Sequence, residues 1–302
     1  MADKKSGQQQ AVDNIIAQLE AGVVPWRKPW TSSFPTNLVS QKRYRGLNVF
    51  ILAFAGYPSP YWMTFKQAQQ LGGTVKRGEH GTHITKWGTY NRKSKSEDGE
   101  ETSTRGGYWH TYTVFNLAQT EGIAEALGLV NTEPLENIPA AQAIWDNYKG
   151  RPVYKDSDHA WYRPSEDTIG MPPRERFSEQ AEYYSTLFHE MGHSTGHVSR
   201  LNRDGITNTI VFGSEDYSAE ELVAEFTSAL LCGSCGIAPA LVQNQAAYIK
   251  SWLTKLKLSA NATTIPKAMS AAQKACDLIL GEEKTNELQT EVSEMRASNG
   301  GN

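Results

Sequence analysis

The five residues His189-Glu190-Met191-Gly192-His193 constrain this chain more than any other feature. Their pattern, H-E-x-x-H, lies in a stretch where Tyr184, Leu187, Phe188 and Met191 recur at helical spacing. Ser178 is the expected N-cap, and the helix should run to about Thr195. Residues four apart on a helix share a face, so both imidazoles can address one cation. Glu190, one residue round, then faces a water in the open coordination position. There a carboxylate serves as general base while the ion polarises a carbonyl.

Such a centre needs a third protein ligand. Ser218-Ala219-Glu220-Glu221-Leu222-Val223-Ala224-Glu225-Phe226 predicts a second helix, capped by Ser218 and running to Cys232. Glu221, Glu225 and Ser228 form one stripe on it, and Leu222, Phe226 and Leu230 the adjoining apolar one. Packing that apolar stripe on the His helix sets Glu221 beside the two histidines, with Glu225 one turn on to hydrogen-bond a ligand imidazole. Ser218-x-x-Glu221 also reads as a capping box, in which Glu221 returns to the Ser218 amide instead. His197 competes less well: on a continuous helix it sits about 12 Å from His189, and it reaches only if the helix breaks at Gly196. The longer pattern H-E-x-x-H-x-x-G-x-x-H fails at its last position, which is Ser199. His197 is read as a supporting or structural histidine. Glu221 is the preferred third ligand, with Glu225 and His197 open, and the ion is Zn2+ or another divalent metal. Tyr183, Tyr184 and Tyr217 are candidate oxyanion donors, each weighed against a buried structural phenol.

Charge divides the chain. Residues 1–130 carry 15 Lys+Arg against 10 Asp+Glu, a net of +5, while residues 131–302 carry 15 against 23, a net of −8. Between Ala21 and Lys95 there are 12 basic residues, 12 aromatics and one acid, Glu79. The densest pieces are Trp26, Arg27, Lys28 and Trp30; Arg43, Tyr44 and Arg45; Tyr61 and Trp62; Lys76 and Arg77; and Lys86 with Trp87. Cations follow phosphates and release counterions, and flat rings stack unpaired bases, so this mixture points to single-stranded nucleic acid over duplex. Pro25 and Pro29 keep Trp26 and Trp30 out of a regular helix or central strand.

At 302 residues, two domains are expected. The first contains helices at Gln8–Ala21 and Thr64–Leu71, the latter capped by Thr64 and stopped by Gly72. Strands follow at Thr82–Tyr90 and Tyr108–Leu117, flanking a charged loop over Ser94–Gly107. A linker centred on Asn131–Pro139 separates residues 1–125 from 141–281, with 126–140 assigned as linker and 282–302 as a flexible tail. The second unit should open with a helix at Ala140–Tyr148 and extended pieces at Pro152–Lys155, His159–Arg163 and Thr168–Met171. Helices near Gln245–Leu258 and Pro266–Leu280 close it. The class is α+β: a small mixed unit with a basic, aromatic surface suited to nucleic acid, and a second unit built around the H-E-x-x-H helix. No apolar run approaches the roughly 18 residues of a membrane span, and Met1–Gln10 lacks a signal-peptide core. Three cysteines make no disulfide framework. Cys232-x-x-Cys235 is a lone pair, unlikely to be a zinc ribbon, and Cys276 reads as a small core residue. A cytoplasmic protein that does not engage membranes is expected.

The region from His189 to Glu225 resembles the zincin metallopeptidases whose third ligand is a glutamate on a downstream helix. That resemblance implies a short sheet whose edge strand, here within His159–Met171, binds an extended peptide. Across residues 8–280 the chain resembles the ArdC antirestriction family encoded on conjugative plasmids. The matching stretches are Pro25–Trp30, Tyr44–Asn48, Trp62–Phe65, Gly72–Gly78, Val114–Leu117, His189–Arg203 and Glu220–Glu225. The likeness implies an N-terminal single-stranded-DNA-binding domain and a zincin-like domain related in architecture to DNA-dependent proteases of the SprT type. It also implies protection of incoming plasmid DNA from host restriction, with a protein substrate or restriction enzyme as a further partner. The competing reading is a strand-coating protein with a structural or vestigial metal site. A nuclease fits less well, because no cluster of carboxylates suits a two-metal site.

Overall fold

Val12, Ile15 and Leu19, one helical turn apart, are buried along helix α1 (Gly7–Glu20). The computed structural model describes residues 7–22, 34–95, 101–127, 138–207, 215–237 and 264–282. Trp26–Trp30, most of the expected linker, the expected helix at Gln245–Leu258 and the tail beyond 282 lie outside the described residues.

After α1 come β1 (Thr36–Asn37), α2 (Leu47–Phe54), β2 (Tyr61–Thr64), α3 (Phe65–Gln70), β3 (Thr74–Val75), β4 (Thr82–Lys95), β5 (Glu101–Asn116), β6 (Thr120–Glu121) and α4 (Ile123–Ala126). Strands β1, β2, β5 and β4 form one sheet in that order, with β1–β2 parallel and the rest antiparallel; β3 and β6 pair separately. Thr64 caps α3 in a full capping box with Gln67, and Gly72 follows at φ 80°, as the sequence predicts. The expected loop at Ser94–Gly107 needs correction. β4 and β5 stay in register from Thr82↔Val114 to Lys95↔Glu101, so most of that stretch is a two-stranded ribbon. Thr102 and Thr104, residues of high strand propensity, lie in this part of the ribbon despite the local charge. Gly46 (φ 55°, ψ −134°) turns the chain into α2 in a conformation other residues rarely adopt. Two residues on, the Asn48 amide donates to the Thr85 carbonyl (2.7 Å) and its oxygen accepts from the Thr85 N–H (3.0 Å), so the side chain pairs with β4 as a strand would.

The second half holds α5 (Ile138–Asn147), β7 (Val153–Asp156), β8 (Trp161–Arg163), β9 (Thr168–Met171), α6 (Gln180–Ser194), α7 (Asp204–Thr207), α8 (Glu215–Cys235) and α9 (Thr264–Leu280). Its sheet has the order β7-β9-β8, β7 parallel and β8 antiparallel to β9. Of the expected peptide-binding edge His159–Met171, only Trp161–Arg163 is therefore at an edge. Thr168–Met171 is central and buried, as its Ile169 and Met171 require. Two expected caps also shift. Helix α6 begins at Gln180 with Glu179 at the cap, while the Ser178 N–H and hydroxyl both donate to Glu182 (3.2 and 2.8 Å). Helix α8 begins at Glu215, so Ser218 lies within its first turn and the Ser218–Glu221 capping box does not hold.

The chain is α+β with two units of different make-up, yet one apolar core crosses between them. Val12, Ile15, Leu19, Val49 and Phe50 join the buried residues of α5, α6, α8 and α9, and the Phe50 and Phe226 rings lie 5.0 Å apart. On the surface, Arg45 pairs with Asp277 of α9 and with Glu282 (3.1 Å).

Candidate metal centre

Helix α6 buries Tyr184, Leu187, Phe188 and Met191 on one side and packs closely on α8. The close approach needs Gly192, where a Cβ would stand 2.9 Å from the Ala224 Cα. With the helices this near, His189, His193 and Glu221 converge, the one such cluster of three among the described residues. His189 Nε2 and His193 Nε2 lie 3.2 Å apart; Glu221 Oε2 is 3.5 Å from the first and Oε1 is 3.6 Å from the second. Donors each about 2.0–2.1 Å from a tetrahedral ion stand about 3.3 Å apart. Each imidazole Nε2 thus meets one oxygen of the Glu221 carboxylate, at spacings close to those between donors on one tetrahedral ion, and one donor atom from each residue can be chosen with all three within 4.8 Å of one another. Their side chains are 20%, 12% and 13% exposed, sheltered but reachable.

Electrostatics follow from that crowding. Burial alone would pull the His189 imidazole down, but the Glu221 contact and the charges of Glu225 and Glu190 outweigh it and lift it to about 9. For His193 burial is likewise outweighed, by Glu220 and Glu221, and the value rises. Glu190 is buried, which pushes its carboxyl above the ordinary range against the opposing pull of His189 and His193. A carboxyl raised in this way suits proton transfer near neutral pH.

The remaining predicted residues sort clearly. Glu225 Oε1 stands 3.8 Å from His189 Nδ1, on the side away from Glu221. The helix ends at Ser194, before His197, but His197 Nδ1 lies 2.8 Å from Ser199 Oγ and the ring stays out of the cluster. Tyr184 donates to Gln142 Oε1 (2.8 Å) and the Tyr183 hydroxyl is 3.3 Å from that of Tyr154, so both phenols are buried with structural partners. The Tyr217 side chain lies outside the described residues. Cys232, Cys235 and Cys276 are buried free thiols, all raised by burial.

In the N-terminal unit, Trp62 is 1% exposed and stacks edge-on with Tyr57, which corrects its reading as a base-stacking residue. The strand Tyr61-Trp62-Met63-Thr64 is covered on both faces, so its Trp goes to core. Arg45 is held by Asp277 and Glu282, and Tyr44 is half-buried with its hydroxyl 3.3 Å from Asn37 Nδ2. Arg43 lies over the Phe34 ring at 5.3 Å. Lys76 donates to the Ala118 carbonyl (2.9 Å) while Arg77 is exposed. Lys86 and Trp87 pair with His110 and Trp109 in the ribbon register; the Trp87 side chain is outside the described residues.

Two family models cover most of the chain: the N-terminal domain of anti-restriction factor ArdC over residues 5–115 and a zincin-like metallopeptidase over 139–271. The crystal structure of the antirestriction ArdC protein from plasmid R388, in its metal-free form, superposes with a TM-score of 0.73 at 38% identity, covering 90% of this chain and 96% of that one. Its Mn(II)-bound form gives 0.72 at 37% identity, with 91% and 97% covered. The chain belongs to the ArdC antirestriction family. An uncharacterized protein y4eC of Sinorhizobium fredii (strain NBRC 101917 / NGR234) is 34% identical over 89% of this chain and 90% of its own length. Two DNA primases TraC of Escherichia coli are 35% and 33% identical over 93% and 94% of this chain, which spans only 28% and 20% of their lengths.

In this ArdC-family chain, sequence reasoning missed the residues behind His193. Glu220 Oε1 lies 3.3 Å from His193 Nδ1, and Arg203 donates to both Glu220 oxygens, from Nε (2.9 Å) and Nη2 (2.5 Å). Arg203 also donates to the Gly192 carbonyl (2.8 Å) and to Thr195 Oγ1 (2.6 Å). The bonds from Arg203 and the His193 contact outweigh burial and lower the Glu220 carboxyl from its ordinary value. The available signal was Glu220 beside Glu221: adjacent helix residues serve different neighbours, and a buried acid needs a cation.

Proposed function

We propose that this protein is an antirestriction factor that binds single-stranded DNA through residues 1–125 and hydrolyses peptide bonds through residues 141–281. His189, His193 and Glu221 would hold Zn2+ or another divalent ion, and the Mn(II)-bound relative supports a divalent cation. When bound, that ion polarises the scissile carbonyl and acidifies a water. Glu190 takes a proton from the attacking water, whose oxygen joins the carbonyl carbon, and returns a proton to the amide nitrogen as the C–N bond breaks. Glu220 keeps His193 in the tautomer that offers Nε2 to the ion, and Glu225 plays the weaker equivalent part for His189. Either edge of the β7-β9-β8 sheet can pair with an extended peptide.

The observation that carries this reading is the convergence of His189, His193 and Glu221, with contacts of 3.2–3.6 Å among their donor atoms and a buried Glu190 alongside. No helix of the described residues is long and apolar enough to cross a membrane. Free buried thiols suit a reducing cytoplasm, where entering plasmid DNA meets restriction enzymes. The test is Glu190→Gln in a plasmid-transfer assay against a restricting host. Loss of protection, with metal content and strand binding retained, supports hydrolysis. Full protection by the variant supports the strand-coating reading instead.

A further inference from the structure

We infer that the open face of the N-terminal sheet, around Phe65 and Phe115, is the platform on which unpaired bases stack. This rests on the strand-binding reading above and gives it a location. Side chains alternate across a strand, so the register Met63↔Phe115 and His83↔Thr113 puts those four on one face. The 3.1 Å contact between Thr113 Oγ1 and His83 Nδ1 is the direct mark of it. The opposite face carries Trp62, Ile84 and Val114, buried with Leu52 of α2. Helix α3 packs on the first face at Met63, while Phe115 and His83 stay partly exposed and Thr113 exposed.

Phe65, the first residue of α3, is 50% exposed, and its ring lies 6.3 Å from that of Phe115 at 63°. Gly81 opens the neighbouring strand position: a Cβ there would meet the Phe115 ring at 3.0 Å and Thr113 Cγ2 at 2.3 Å. Two phenylalanines thus form a step on this face, beside His83 and Thr113. Exposed apolar surface of this kind marks a contact site.

Charge selects the occupant. Lys66 follows Phe65 directly, and the exposed Lys76 and Arg77 lie on the turn that leads to Gly81. Glu79 is the single acid between residues 21 and 95, and its carboxylate accepts from Gln119 Nε2 (2.8 Å). Aromatic rings beside cations match unpaired bases on a phosphate chain, whereas a duplex keeps its base faces hidden.

The test measures binding of a short oligothymidylate and of a duplex of equal length by fluorescence anisotropy, over a range of salt concentrations. Phe65→Ala should weaken oligothymidylate binding by about 5-fold to 100-fold, leave duplex binding nearly unchanged, and keep the salt slope, because no charge is removed. Phe65→Trp should restore affinity. Unchanged melting of Phe65→Ala identifies a folded variant; should it melt early, the Trp variant alone carries the test and must bind at least as tightly as the parent. An Ala variant with parental affinity, or an equal loss on both nucleic acids, overturns the platform while leaving strand binding in place. A parent protein that does not retain the oligothymidylate overturns the strand-binding reading and the platform together.

Discussion

Arg203 grips both carboxylate oxygens of Glu220, the residue whose Oε1 stands 3.3 Å from His193 Nδ1. The fork is rigid and matches a carboxylate, which a lysine ammonium cannot reproduce. Arg203→Lys should weaken divalent-metal binding by about 10-fold to 100-fold, the usual effect of losing a residue that orients a ligand. Isothermal titration with Mn2+ and Zn2+ checks this. An affinity equal to the parent's would show that Glu220 orients His193 without help.

Gly192 sits where α6 and α8 are closest. A methyl group there meets α8 backbone at 2.9 Å and Thr227 Cβ at 3.2 Å, neither of which can swing aside. Gly192→Ala should cost about 1–3 kcal/mol of stability and reduce metal uptake, since Glu221 moves with α8. Denaturant unfolding and metal analysis of one preparation read both effects.

Trp62 lies in the sheet core with Leu52, Ile84 and Val114. Trp62→Ala should lower stability by about 3–5 kcal/mol. Any loss of nucleic-acid binding should then track the unfolded fraction across temperature. A stable Trp62→Ala protein with selective loss of strand binding would contradict this placement.

Asp167 supplies the pH dependence. Burial raises its carboxyl, but the bonds from Arg200 (2.9 Å from Nη1 to Oδ2) and Tyr162 (2.9 Å) more than offset that, and the folded value falls below the ordinary one. Such a group adds stability above its unfolded pKa of about 4, and the contribution fades as pH drops through the lower folded value. Asp167→Asn should therefore be less stable than the parent at neutral pH, with the gap narrowing below about pH 4. Asparagine tolerates the left-handed backbone at this position (φ 45°), so the substitution isolates the charge. Urea unfolding at stepped pH measures it.

Where periodicity was strong, the residues announced their structure. The Tyr184–Met191 spacing marks α6, and the four-residue interval of His189 and His193 puts both imidazoles on one face of it, where they meet Glu221. Glu221 was legible because an apolar stripe beside it had to pack on something. Ser218 misled, because a helix start depends on residues upstream of the cap signal, and α8 opens three positions earlier. Arg203 was invisible for a different reason: it follows the helix in a turn, where no repeat marks which way a side chain points. Trp62 shows the limit of composition, since a basic, aromatic stretch does not say which ring the sheet will bury.

The crossing of the core between the two units bears on how the molecule can be handled. A fragment starting near residue 139 would lose Val12, Ile15, Leu19, Val49 and Phe50 from the packing around Phe226, which shares α8 with Glu221. Such a fragment would present a raw oily wound next to the cluster of His189, His193 and Glu221. The boundary that charge draws along the chain is thus not a place to cut it, and whatever grips the amino-terminal half is mechanically a handle on the half that holds the His–Glu cluster.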